Sequence, residues 1–259
     1  MQLKLDIRNN SNRAIDQKPS DSSRQSLSTL DLFSGIGGVR LAFERNGFHT
    51  SFSNDFEPSC KVTSDPNFMD PQLTLGDIRE IEIDSLPDFD VLLGGFPCQA
   101  FSVAGYRQGF NDEKGRGNLF FSIARILEVR TPQILFLENV KNLQGHDGGN
   151  TFAVIRKTLA ELGYYVRYQV LNTMKYGNLP QNRERIYIVG FRSEEIAELF
   201  EFPEPVNLTV KVHDLLEPNV HDRYYYEGKP LHPRLVQHVV SRETVYQWRR
   251  QYVRDNKQG

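Results

Sequence analysis

The segment GGFPCQAFS (94–102) closes an apolar run with two glycines and then sets Phe96, Pro97 and Cys98 at its edge. Proline fixes its own φ and restrains the residue before it, so the Cys98 thiol is carried on a stiff turn. A cysteine acts as a nucleophile through its thiolate, which requires partial exposure and nearby positive charge. A lone cysteine is more often a small buried hydrophobe. That description suits Cys60, in a helix-like segment, better than Cys98, whose neighbours are glycines, proline and a polar loop. The loop VAGYRQGFNDEKGRGN (103–118) has four glycines over 16 residues, longer than ordinary connections, and reads as a lid over a substrate.

A second candidate lies upstream. LDLFSGIGGVRLAF (30–43) reads as strand, glycine turn and helix, an arrangement whose free N–H groups attract an anionic ligand group. The dinucleotide fingerprint G-x-G-x-x-G fails, because Arg40 stands at the third glycine position. A smaller ligand against Gly35, Gly37 and Gly38 fits better. About twenty residues on, Asp55 stands where an open α/β sheet places a carboxylate on ribose hydroxyls. Asp77, in GDI (76–78), follows a third short run and is suited to an adenine amino group. Each alone reads as a turn residue; three in order at successive strand ends point to an adenosine-containing ligand.

The elements that must position these groups alternate along the chain. Apolar runs at 28–33, 49–54, 89–95, 133–139, 164–171 and 185–191 are separated by helix-like stretches at 39–47, 118–130 and 151–163. In the last stretch Phe152, Ile155, Leu159 and Leu162 share a face, and Gly163 supplies a stop. This alternation predicts an α/β fold: a mostly parallel, doubly wound sheet with helices on both faces. The final two runs lack an intervening helix and are expected to pair antiparallel at the edge. Residues 1–26 have no aromatic residue and are expected to form a flexible arm; 27–200 are expected to form the domain that carries both candidate sites. Residues 201–259 form an extension with four histidines, three successive tyrosines and a basic end, with a helix expected across ETVYQWRRQYV.

Composition narrows the classes further. The 259 residues carry 31 Lys plus Arg against 33 Asp plus Glu, a formal charge of −2, which argues against wholesale polyanion binding but allows a local basic groove. No apolar run approaches the roughly 18–20 residues of a membrane span, and the start has no secretion signal. Two cysteines make no disulfide framework, and the histidines show no metal-ligand spacing. A cytoplasmic protein is expected.

Taken in order, DLFSGIGG (31–38), SND (53–55), GDI (76–78), GGFPCQAFS (94–102), RGNLFF (116–121), ENV (138–140) and QNRERIYIVGFR (181–192) resemble the C5-cytosine DNA methyltransferases, which use S-adenosylmethionine. The resemblance covers residues 28–192 and implies a Rossmann-like methyltransferase sheet with an antiparallel last strand. It implies methyl transfer to C5 of a cytosine flipped out of duplex DNA, a step general to DNA methyltransferases. C5 is a poor nucleophile, so the Cys98 thiolate adds to C6. Glu138 protonates or hydrogen-bonds N3, which requires a carboxyl kept protonated by burial beside the base. Asn139 orients that turn. Arg183 and Arg185, alternating along a strand, steady cytosine O2 and the neighbouring backbone. The cofactor contacts implied are Phe33, Gly35, Gly37, Gly38, Asp55, Phe56, Asp77, Ile78 and Pro97, with no metal. Asp55 departs from the family's more frequent glutamate. In isolation, RER reads as a solvated strand edge with Glu184 as partner, and Glu138 as a turn residue capping a strand end.

The family continues with a target-recognition domain, a block that organises it and a GNSV-like helix, none of which follows here. The expectation is a larger catalytic subunit that needs a smaller second subunit for target recognition, within a restriction–modification system. The alternatives are a truncated or degenerate relative that binds S-adenosylmethionine or DNA without chemistry, and an RNA cytosine methyltransferase.

Overall fold

The computed structural model describes residues 26–97, 119–225, 227–230 and 233, with the backbone of 246–249 and 252–255. Cys98, the lid expected at 103–118 and all but the last residue of the N-terminal arm lie outside them. The chain divides into two compact units. One runs to Val170 and takes in Arg185–Phe202; the other comprises Leu171–Glu184 and the chain from Pro203 onward.

The first unit is built on β1 (Ser28–Leu32), β2 (His49–Asp55), β3 (Thr74–Leu75), β4 (Val91–Gly94), β5 (Ile134–Val140), β6 (Tyr165–Asn172) and β7 (Glu184–Phe191), the last two reaching into the second unit. These form one seven-stranded sheet in the order β3-β2-β1-β4-β5-β7-β6. The pairings β1·β2, β1·β4, β2·β3 and β4·β5 are parallel. β7 runs antiparallel to β5, placing Arg185 opposite Val140. The expected antiparallel strand is therefore β7, and β6 forms the edge.

Every residue of β1 and β4 is buried, which is why β4 reads as an unbroken apolar run in the sequence and β1 as a run of apolar or small residues interrupted only by Asp31. Their leucines join a core with α3 (Leu119–Arg130) and α4 (Asn150–Glu161), packed through Phe120, Ile123, Leu127, Ile155 and Leu159. Truncating one of the fully buried leucines to alanine costs about 2–5 kcal/mol by cavity formation. Gly163 takes the left-handed conformation (φ 82°) just beyond α4, the expected stop. The shorter helices α1 (Gly38–Glu44) and α2 (Pro58–Ser64) follow β1 and β2.

The sheet order reverses between β1 and β4. In open α/β sheets such a switch point leaves a crevice beyond the carboxyl ends of the strands. The turns after β1 and β4, which carry the glycines and Phe96–Pro97, flank this crevice. Because β7 is antiparallel, its amino end, with Arg185, lies at the same rim as the carboxyl end of β5.

Within the second unit, α5 (Thr173–Tyr176) is capped by Asn172, whose side chain accepts from the Met174 N–H. The Asn178 side chain accepts from the Thr209 N–H at 2.7 Å. The helix expected across ETVYQWRRQYV is not formed. Tyr246–Arg249 and Tyr252–Asp255 are instead strands β8 and β9, paired antiparallel. The segment is rich in aromatic and β-branched residues, and a hairpin accommodates these more readily than a helix does.

Candidate active site

The glycine turn begins under strain. Phe33, just after β1, has φ 53°, and Gly35 and Gly37 also lie in the left-handed region at 57° and 86°. Buried side chains beneath the turn hold it. The Ser34 hydroxyl donates to Asp31 Oδ2 at 2.6 Å, and the Gly35 N–H donates to Asp55 Oδ2 at 2.9 Å. The other Asp55 oxygen accepts from the Glu57 N–H, so this carboxylate joins the turn to the end of β2. Asp31 is fully buried, and desolvation pushes its carboxyl up to about 7 despite the Ser34 bond and the charge of Arg40.

The three glycines serve different ends. A Cβ on Gly37 would stand 2.2 Å from the Phe68 ring, whereas no described atom lies within 4 Å of a Cβ on Gly35 or Gly38. Gly37 is a packing glycine. The Phe68 ring also lies against the buried Arg40 guanidinium, 4.3 Å from its centroid. Arg40 in turn donates to Glu44 Oε1 and to the carbonyls of Pro71 and Asp70, at 2.7, 2.7 and 2.9 Å. This buried cation locks α1 to the segment leading into β3. Arg40 was legible in sequence only as the residue that breaks the dinucleotide fingerprint.

Gly35 and Gly38 border open space, and beside them Ile36 and Phe56 are 59% and 66% exposed at the ends of β1 and β2. Uncovered apolar side chains beside a glycine turn and a carboxylate fit an adenosine-bearing ligand such as S-adenosylmethionine. The Asn54 amide donates to the carbonyls of Thr74 and Gly76, fixing the turn that carries Asp77 next to Asp55. Asp77 caps the following turn and is paired with Arg79, which holds its carboxyl below the usual range. An adenine amino group would share this carboxylate with Arg79. Ile78 is buried beneath.

Across the switch point, Phe96 is buried and Pro97 exposed. Asn139, itself buried, donates from its side chain to the Phe96 carbonyl at 2.9 Å and accepts from the Val140 N–H at 2.8 Å. It therefore fixes the turn from which the chain enters Cys98. Glu138 Oε1 pairs with Arg185 Nε at 2.9 Å, with side chains 22% and 21% exposed. The β5–β7 register puts them diagonally on one face. Glu138 is thus more than a strand-end cap, and Arg185 is more than a solvated edge. Arg183 precedes β7, in the second unit; its carbonyl accepts from the Thr173 N–H, and the residue is exposed. Sequence inspection did not single out Asp31, whose signal is a charged residue inside an otherwise apolar strand. Among the described residues, no group of three or more His, Cys, Asp or Glu is arranged to hold a metal, and no helix is long and apolar enough to cross a membrane.

The family model for C-5 cytosine-specific DNA methylases matches residues 27–258. The chain is 51% identical over 236 residues to the Type II methyltransferase M.Bsp6I of Bacillus sp. (strain RFL6), covering 89% of this chain and 74% of that protein. It is 46% identical to M.DsaV of Dactylococcopsis salina, covering 78% and 56%, and 44% identical to M.HhaI of Haemophilus parahaemolyticus, covering 77% and 59%. The chain thus spans little more than half the length of the latter two. Among solved structures it resembles DNMT2 of Spodoptera frugiperda (TM-score 0.60, 22% identity, 76% of this chain and 62% of that one). It also resembles the methyltransferase EhMeth of Entamoeba histolytica (TM-score 0.57, 20% identity, 78% and 63%). At these identities the likeness is one of fold.

Proposed function

The chain belongs to the C-5 cytosine-specific DNA methylase family, and on that premise we propose that it methylates C5 of cytosine in duplex DNA, with S-adenosylmethionine as cofactor, in a Type II restriction–modification setting. The observation that carries this is the Glu138–Arg185 pair at the rim shared by β5 and β7, with Asn139 tethering the turn that leads into Cys98.

The proposed division of labour follows from these positions. The Phe33–Gly38 turn, Asp55 and Phe56 hold the cofactor, which when bound supplies an electrophilic methyl group on a sulfonium. Cys98 adds as thiolate to C6 of an extrahelical cytosine, and electron density moves to C5. Glu138 meets N3 and assists addition there by proton transfer or a hydrogen bond. Arg185 fixes the orientation of Glu138 and adds positive potential. Once C5 carries its methyl group, loss of the C5 proton expels the Cys98 thiolate and restores the ring. Arg183 is proposed to steady the base and neighbouring backbone.

Transfer of labelled methyl from S-adenosylmethionine into duplex DNA, with the modified nucleoside identified, tests the whole. The expected product is 5-methylcytosine. Glu138→Gln is expected to lower the rate by about 10²–10⁴-fold, the usual contribution of a general acid, while cofactor affinity holds. Methylation of RNA alone, or of adenine, would overturn the assignment.

A further inference from the structure

Gly94 and Gly95 are consecutive at the end of β4 but lack side chains for different reasons. A Cβ on Gly94 would lie 3.1 Å from Leu137 Cδ2 and 3.4 Å from Ile123 Cδ1, so core packing accounts for that glycine. At Gly95 neither packing nor backbone conformation does. Its φ is outside the left-handed range, and among the described residues a Cβ would meet Glu138 Oε2 at 3.7 Å and Phe33 O at 3.9 Å. Both are ordinary contact distances.

The two atoms belong to the two halves of the site. Phe33 opens the turn assigned to the cofactor, and Glu138 is the group assigned to the base. Gly95 stands between them, at the switch point, one residue before the turn that Asn139 holds. A side chain there would occupy ligand space and nothing else on the described surface.

We infer that Gly95 is a positioning residue: its bare Cα keeps open the passage in which the cofactor's methyl group and C5 of the base approach each other. This rests on the methyl transfer proposed above. One methyl group added in that passage would hold the reacting atoms apart by about the length of a bond, and misplacement of roughly 1 Å costs on the order of 10²-fold in rate.

The test is Gly95→Ala, compared with wild type and with Gly94→Ala. Melting temperature, affinity for S-adenosylhomocysteine by calorimetry, and methyl transfer to duplex DNA are measured for each. In Gly95→Ala, melting temperature should stay at the wild-type value and S-adenosylhomocysteine affinity within about twofold of it, while transfer falls by about 100-fold. Gly94→Ala should lose melting temperature. Transfer by Gly95→Ala at the wild-type rate would overturn the inference. So would a loss of S-adenosylhomocysteine affinity or melting temperature matching the lost activity, since either would put the Cβ in the cofactor pocket or in the packing. If wild type neither binds S-adenosylhomocysteine nor methylates, the underlying chemistry fails instead, and the wild-type arm alone reveals it.

Discussion

Asp31 is a carboxyl with no water around it, placed under the turn assigned to the cofactor. Its folded-state value of about 7 lies above the 3.8 of an exposed aspartate, so between those values the native protein holds a proton that the unfolded chain has released. Stability from this group is therefore complete below pH 3.8 and is lost as the pH rises toward about 7, by an amount on the order of a few kcal/mol. Asp31→Asn keeps an oxygen to accept from Ser34 and removes the titration. Urea unfolding at pH 5 and pH 8 should show wild type losing about 2 kcal/mol more than the variant between them; equal losses would contradict this. At this scale the sequence singled out candidate groups by their neighbours, as with Cys98 after proline or Glu138 before asparagine. It did not reveal that Arg185 pairs with Glu138, because that partner stands 47 residues earlier in the chain, on another strand.

Strands and helices were legible wherever burial is one-dimensional. The runs at β1, β2, β4, β5, β6 and β7 fall within two residues of their observed limits; burial preserves the pattern in all of them but β6, whose residues are exposed or half-buried. β3, two exposed residues long, and the hairpin β8–β9 carry little pattern of their own. The glycine turn shows the same limit: three glycines look alike in sequence and differ in structure. Gly37→Ala should destabilise by about 2–4 kcal/mol, combining left-handed strain with the overlap on Phe68. Gly38→Ala opens α1 into free space and should hold or raise the melting temperature, while weakening S-adenosylhomocysteine binding. Thermal melts and calorimetry on the two variants separate packing from ligand contact. A neutral Gly37→Ala, or unchanged affinity in Gly38→Ala, would refute the distinction.

On the scale of the molecule, the strand order around the switch point between β1 and β4 accounts for how Asp31 and Arg185, more than 150 residues apart, belong to one sheet. Carboxyl ends of five parallel strands and the amino end of one antiparallel strand reach one rim, so sequence order becomes spatial order. The near-neutral charge of −2 argues against a molecule whose whole surface grips long stretches of phosphate. What the whole chain does therefore turns on one covalent bond. Duplex DNA containing 5-fluorocytosine at the target, with S-adenosylmethionine present, should trap the chain as an adduct, because fluorine cannot leave C5 as a proton does. Peptide mapping should place the bond on Cys98, and Cys98→Ala should form none. No adduct with wild type, or an adduct that persists in Cys98→Ala, would contradict the mechanism.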